Sequence, residues 1–233
     1  MTTIFDFENI KSNVVDSVRK EYEDLCRSLI SHSNGCGNSV NIYKYWISLI
    51  NNYIDRPYHN FNHISSGLVE INKRCLTDEC IVYKNELKFA WINHDFITGC
   101  RQAELMTNVF VCKMIHDIGL ASSLKEEIVY DLIMETSPEC YLTEGPSKTG
   151  MYEADLIHDI DFICLGLEWK EFCDYGNKII KEYGKRFNPR ARVKFLKTVQ
   201  NMQHIYRTIK YYDSYEEQAR NNIEKMLKEI YIL

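Results

Sequence analysis

The apolar residues of this chain recur at helical intervals almost wherever a pattern can be read, and that spacing limits the fold more than any other feature. Phe7, Ile10, Val14, Val18, Leu25 and Leu29 step by three, four or seven residues, which gathers them on one side of an α-helix. Leu124, Ile128, Leu132 and Ile133 repeat the pattern in the middle of the chain. Ala219, Ile223, Met226, Leu227 and Ile230 repeat it near the end, with Glu, Lys and Asn between them. No sustained alternation of β-branched residues bounded by turn signals occurs, so no sheet is expected. The predicted class is all-α.

Helix breaks are expected at Ser33–Ser39, at Asp55-Arg56-Pro57, at Ser137–Gly150 and near Gly184–Pro189, where Gly, Pro, Ser and Asn cluster. None of these gaps is long enough for an interdomain linker, and no internal repeat is visible. The expected organisation is one helical domain over residues 1–233, with an N-terminal helix at about residues 1–40 packing on it.

Composition narrows the setting. Only ten Gly and four Pro occur in 233 residues, which excludes collagen-like and low-complexity chains. The longest apolar stretches, such as Phe162–Leu167, fall far short of the ~18–20 residues of a membrane span. Asp6 and Glu8 stand where a secretory signal would carry Lys or Arg. The nine cysteines are odd in number and form no Cys-x-x-Cys, a usage that fits reduced thiols better than a disulfide framework. These features predict a soluble, cytoplasmic protein without a membrane partner. A net charge of −5 provides no broad field for a nucleic-acid polymer. One stretch runs the other way: Glu168–Lys197 holds nine Lys/Arg against four Asp/Glu. It reads first as a solvated helix face, with Arg190, Arg192 and Lys194 as the residues that would steer a phosphorylated ligand.

Three of the seven His begin a His-Asp dipeptide: His94-Asp95, His116-Asp117 and His158-Asp159. Context separates them. His94-Asp95 ends the apolar run Leu87-Lys-Phe-Ala-Trp-Ile-Asn, where two polar residues are costly unless paired or metal-bound. Upstream, Arg56-Pro-Tyr-His59-Asn-Phe-Asn-His63-Ile carries two His four residues apart, which would share a helix face if the segment were helical. Pro57 and Asn60 both suit a helix start there. Downstream, Asp155, Asp159 and Asp161 crowd one segment, and Asp161 precedes the apolar run Phe-Ile-Cys-Leu. His32, His158 and His204 read as ordinary surface or core histidines, and Tyr58 reads first as core packing, with lining the site as the alternative.

A His, then a His-Asp pair, then a distant Asp, all on helices, resembles the HD-domain superfamily of metal-dependent phosphohydrolases. The likeness runs from about Tyr45 to the C-terminus. It is carried by the Arg56–Ile64 stretch, Trp91-Ile-Asn-His-Asp95, Asp159-Ile-Asp-Phe-Ile-Cys-Leu-Gly166, Lys181-Glu-Tyr and Glu217-Gln-Ala-Arg-Asn-Asn222. The resemblance implies metal ligands at His63, His94, Asp95 and Asp161. It implies that His59 and Arg56 face phosphate or support the ligands, and that Glu104 stands in a shortened Asn-Glu segment. In a second mapping the ligands would be His94, His116, Asp117 and a later Asp, which leaves His59 and His63 without a role. Two departures stand out: Thr136 is followed three residues later by Glu139 where the family has His, and the Asn-Glu segment is trimmed to Gly99–Glu104.

Two imidazoles with two carboxylates suit Mn, Fe, Co, Ni or Zn ions, with Mg also compatible, better than Ca. The implied activity is hydrolysis of a small phosphorylated substrate, a nucleotide or cyclic nucleotide foremost, by metal-activated water. The alternatives are a degenerate HD-fold protein that binds a nucleotide without cleaving it, and a helical interaction module in which the cluster is merely buried and polar.

Overall fold

Val18, Leu25 and Leu29 of the first apolar stripe, Leu132 and Ile133 of the second, and Ala219 and Ile223 of the third are helical and buried. A computed structural model of the chain describes residues 12–32 and 38–232. Among the described residues there is no strand, and the all-α expectation is met. The helices are α1 (Ser12–His32), α2 (Ser39–Tyr53), α3 (Phe61–Thr77), α4 (Lys84–Asn93), α5 (Ala103–Ile118), α6 (Glu126–Glu135), α7 (Pro138–Tyr141), α8 (Tyr152–Phe162), α9 (Trp169–Tyr183), α10 (Pro189–Asn201) and α11 (Ile209–Ile232). Short 3-10 turns follow α8 at Ile163–Leu165 and α9 at Gly184–Arg186. No described helix is long and apolar enough to cross a membrane. The described cysteines are free thiols.

The described residues group into two compact units. The first holds the described residues through Asp78 together with Tyr83–Tyr130. The second holds Glu79–Val82 and the chain from Asp131 onward, so the division passes through α6. The short 79–82 segment joins the second unit through the Glu153 carboxylate, which accepts from the Val82 N–H at 2.5 Å.

In the first unit α1 packs on α2, α3 and α4, α2 packs on α5, and α3 packs on α4. Of the 1–40 span expected for the N-terminal helix, α1 occupies Ser12–His32, and residues 1–11 and 33–37 lie outside the described residues. Val18, Leu25 and Leu29 of its stripe are buried, whereas Phe7 and Ile10 lie outside the described residues, as does most of the Ser33–Ser39 break. Asn38 ends that break as the cap of α2, its side chain accepting from the Val40 and Asn41 N–H groups. Trp46 links the neighbouring layers, stacking on Tyr22 at 6.0 Å and lying 5.4 Å from the Phe61 ring.

The α3–α4 crossing depends on Gly67. A β-carbon there would lie 2.0 Å from Cζ2 of Trp91, so only glycine lets the indole lie against α3. The indole N–H then donates to the Ile64 carbonyl at 2.9 Å, which satisfies a polar group that burial would otherwise penalise.

In the second unit α10 packs on α11, and the 163–165 turn meets α8, α9 and α11. Glu216 accepts from the Ile205 and Tyr206 N–H groups, and Arg220 ties Glu216 to the Gln200 and Met202 carbonyls. Asn222 donates to the Leu165 and Leu167 carbonyls at 2.9 and 2.7 Å. Between those carbonyls Gly166 faces Tyr215, where a β-carbon would lie 2.6 Å from the tyrosine Cβ. The Leu165-Gly166 and Arg220…Asn222 motifs therefore lock a turn to the last helix. The Ser137–Gly150 break contains one helical turn, α7, which Pro138 begins; proline fits that first position because its missing N–H is not needed there.

Candidate metal centre

The centre in the first unit is assembled by two helix ends. Asn60 caps α3, its side chain accepting from the Asn62 N–H at 2.8 Å while its amide donates to the Arg56 and Pro57 carbonyls. Of the two start residues considered, Asn60 is the cap. His63 therefore falls in the first turn of α3, and His59 lies in the turn before it. The two do not share a helix face as helical spacing would require, yet their rings stand 6.0 Å apart, edge to face. At the other end, α4 runs to Asn93, with His94 as its C-terminal cap and Asp95 in the turn that follows.

His63, His94 and Asp95 converge. Nε2 of His63 and Nε2 of His94 are 3.3 Å apart. The Asp95 Oδ2 atom lies 2.9 Å from Nε2 of His94 and 3.3 Å from Nε2 of His63. Around a divalent ion bound at N and O distances near 2.0–2.2 Å, adjacent ligand atoms sit roughly 2.9–3.5 Å apart. The three atoms already have that spacing. Both histidines are buried, His94 to 2% exposure.

The tautomer of His94 follows from its other nitrogen. Nδ1 lies 2.8 Å from the Trp91 carbonyl oxygen, and a carbonyl only accepts, so the hydrogen is on Nδ1. A neutral ring then presents the lone pair of Nε2 to a carboxylate oxygen. Two acceptors facing each other at 2.9 Å need a positive species between them, either a proton on the ring or a metal ion. Asp95 Oδ2 is itself buried and receives no well-aligned hydrogen bond, as expected of a ligand atom held ready for a cation. Burial alone would raise the Asp95 carboxyl, but positive charge on His94 and His59 and the contacts of His63 and His94 outweigh it. They hold the group well below the usual carboxylate range.

The surroundings fix these side chains. The Trp91 indole stacks on the His94 imidazole at 4.4 Å and 22°, and lies 5.0 Å from the His63 ring. Tyr58 packs on both His59 and His63, at 4.7 and 5.1 Å. Arg56 donates to the Asp95 backbone carbonyl and, at 2.8 Å, to that of Phe96, while its guanidinium covers the Tyr53 ring. Arg56 thus clamps the turn that carries Asp95, the supporting one of the two roles the resemblance implied for it. Tyr53 adds a hydrogen bond to the Ile92 carbonyl from a fully buried hydroxyl. Glu104 stands half-buried in the first turn of α5.

The remaining candidates lie in the second unit. Asp161 is half-buried in the last turn of α8. Asp159, two residues before it, is fully buried and already occupied: Oδ1 accepts from the Arg207 N–H at 2.8 Å, and Oδ2 accepts from the Thr208 N–H and hydroxyl, both at 2.7 Å. His158 sits beside it at 3.0 Å, a core histidine as expected. Asp155 accepts from the Ser147 N–H at 2.6 Å, and burial shifts its carboxyl upward. Arg207, which the sequence reading passed over, pairs with Glu135 at 2.8 Å and donates to the Cys140 carbonyl at 2.9 Å, with 4% of its side chain exposed. Glu139 is exposed on α7.

The second mapping finds other partners for its residues. Asp117 accepts from Tyr45 and Lys113, and His116 meets Glu126 at 2.9 Å. Within the basic stretch Arg190 and Lys194 are exposed, while Arg192 stacks over Tyr175 and Phe195. No family model and no curated protein matches the chain.

Proposed function

We propose that this chain is a metal-dependent phosphohydrolase that cleaves a phosphoester or phosphoanhydride of a small molecule, a nucleotide or cyclic nucleotide foremost. The observation that carries the reading is the approach of His94 Nε2 to Asp95 Oδ2 at 2.9 Å, with the other ring nitrogen committed to the Trp91 carbonyl. In this reading His63, His94 and Asp95 are ligands, and Asp161 is nominated as a fourth by the family resemblance alone. The mixed N/O set favours Mn, Fe, Co, Ni or Zn ions, and such an ion supplies Lewis acidity toward water and a phosphoryl oxygen.

The chain's own groups then have separate tasks. Trp91 and Tyr58 exclude water from the imidazoles and hold their planes. Arg56 keeps the Asp95 turn in place. His59, edge-on to His63, is positioned to give a proton to the departing oxygen as the bond from phosphorus to that oxygen breaks and water's oxygen bonds to phosphorus. A cytoplasmic setting and a small phosphorylated substrate belong to the same proposal.

Phosphate release from a panel of nucleotides and cyclic nucleotides, measured with Mn²⁺ present, tests it. Turnover in the wild type that disappears in His94→Ala and Asp95→Ala, with helical content intact, is the expected result; full activity in both variants would overturn it. Glu139, on the surface where the family has a histidine, favours one second reading: a binder that retains nucleotide without cleaving it. Tight binding with no product in the same panel would select that reading.

A further inference from the structure

Away from this centre, the start of α6 faces the end of α5 with a second set of metal-binding side chains. Cys112 and His116 are one helical turn apart on α5, so they project from the same face. Glu126 opens α6 opposite them. Its Oε1 lies 2.9 Å from Cys112 Sγ and its Oε2 lies 2.9 Å from His116 Nε2. One ligand atom from each of the three lies within 4.8 Å of the others.

The backbone holds this arrangement in place. α5 ends at Gly119, whose φ of 87° is the left-handed conformation that glycine adopts without strain. The carboxylate of Glu86 accepts from the Lys125 N–H at 3.1 Å, and Glu86 is buried. The residue beside Glu126 is therefore pinned by a side chain from α4. His116 remains largely exposed, so an ion has a route in from solvent.

We infer that Cys112, His116 and Glu126 form a second divalent metal site, of the zinc class, with water completing the coordination. One thiolate, one imidazole and one carboxylate match the borderline-soft character of Zn²⁺ or Co²⁺ and poorly suit Mg²⁺, Ca²⁺ or Mn²⁺. In a tetrahedral site with bond lengths near 2.3 Å for sulfur and 2.0–2.1 Å for nitrogen, ligand atoms lie roughly 3.3–3.6 Å apart. The side chains reach that spacing by small rotations. On binding, the thiol gives its proton to solvent as the sulfur–metal bond forms, and the hydrogen bond to Glu126 Oε1 is replaced by a metal–oxygen bond.

Co²⁺ added to the full-length protein separates this site from the His63/His94/Asp95 centre, because only a thiolate ligand produces a near-ultraviolet sulfur-to-cobalt charge-transfer band. The wild type should show that band, and His94→Ala should keep it. Cys112→Ser should abolish it. His116→Ala, a surface change with little effect on folding, should weaken Co²⁺ binding on the order of ten-fold or more. Absence of the band from the wild type, or its persistence in Cys112→Ser, would overturn the assignment, as would unchanged affinity in His116→Ala. None of these outcomes depends on hydrolase activity.

Discussion

The indole of Trp91 lies nearly parallel to the imidazole of His94, with ring centroids 4.4 Å apart, while the Trp91 carbonyl takes the hydrogen of His94 Nδ1. One residue thus sets both the plane and the tautomer of its neighbour three positions on. Trp91→Phe keeps the carbonyl but shrinks the stacked surface and leaves the Ile64 carbonyl without its indole donor. It should lower stability by about 1–3 kcal/mol in chemical denaturation and weaken metal binding by roughly ten-fold in calorimetry.

Gly67→Ala tests the support behind that tryptophan. The added methyl would overlap the indole at 2.0 Å, and Trp91 is fully buried. Denaturation should show a loss of about 1–3 kcal/mol from overpacking. A neutral effect would mean that α3 and α4 are less closely applied than the crossing implies.

The two aspartates of α8 should behave differently. Asp159 accepts three hydrogen bonds from Arg207 and Thr208 in a buried setting. Asp159→Asn places an amide donor against those donors, and stability should fall by about 3 kcal/mol or more. Asp161→Asn should lower Mn²⁺ affinity, the effect expected of a ligand. Thermal melts and equilibrium dialysis on both variants distinguish an anchoring carboxylate from a ligating one.

Acid should act through Asp95. Its carboxyl lies well below the ordinary range in the folded chain, so the unfolded chain binds that proton more readily. The stability this contributes is present above about pH 3.9, the unfolded value, and is lost as pH falls through the folded value. In urea titrations of the metal-free protein across that window, Asp95→Asn should show a flatter loss than the wild type.

Part of the architecture can be read directly from apolar spacing: Val18, Leu25 and Leu29 of α1 and Ala219 and Ile223 of α11 are buried as their stripes mark. The His94-Asp95 pair was legible because it ends a run that is otherwise apolar. The setting of His59 was not, since helical spacing places it with His63 on one face and only the Asn60 cap puts it in a turn. Asp159 and Asp161 are two residues apart on one helix, and nothing local says which of them is occupied. The answer lies with Arg207 and Thr208, some 48–49 residues further on. For Arg56 the resemblance left phosphate-facing and ligand-supporting roles open, and its bonds to the Asp95 and Phe96 carbonyls fit the second. Cys112, His116 and Glu126 become a group only once the turn after Gly119 brings α6 back toward α5.

The central claim is that His63, His94 and Asp95 hold one divalent ion. Equilibrium dialysis against Mn²⁺, an ion that the thiolate-containing site disfavours, tests it most directly. We expect one Mn²⁺ per wild-type chain, and none in His94→Ala or Asp95→Ala proteins that keep their helical circular dichroism. Undiminished Mn²⁺ in both variants, or none in the wild type, would contradict it.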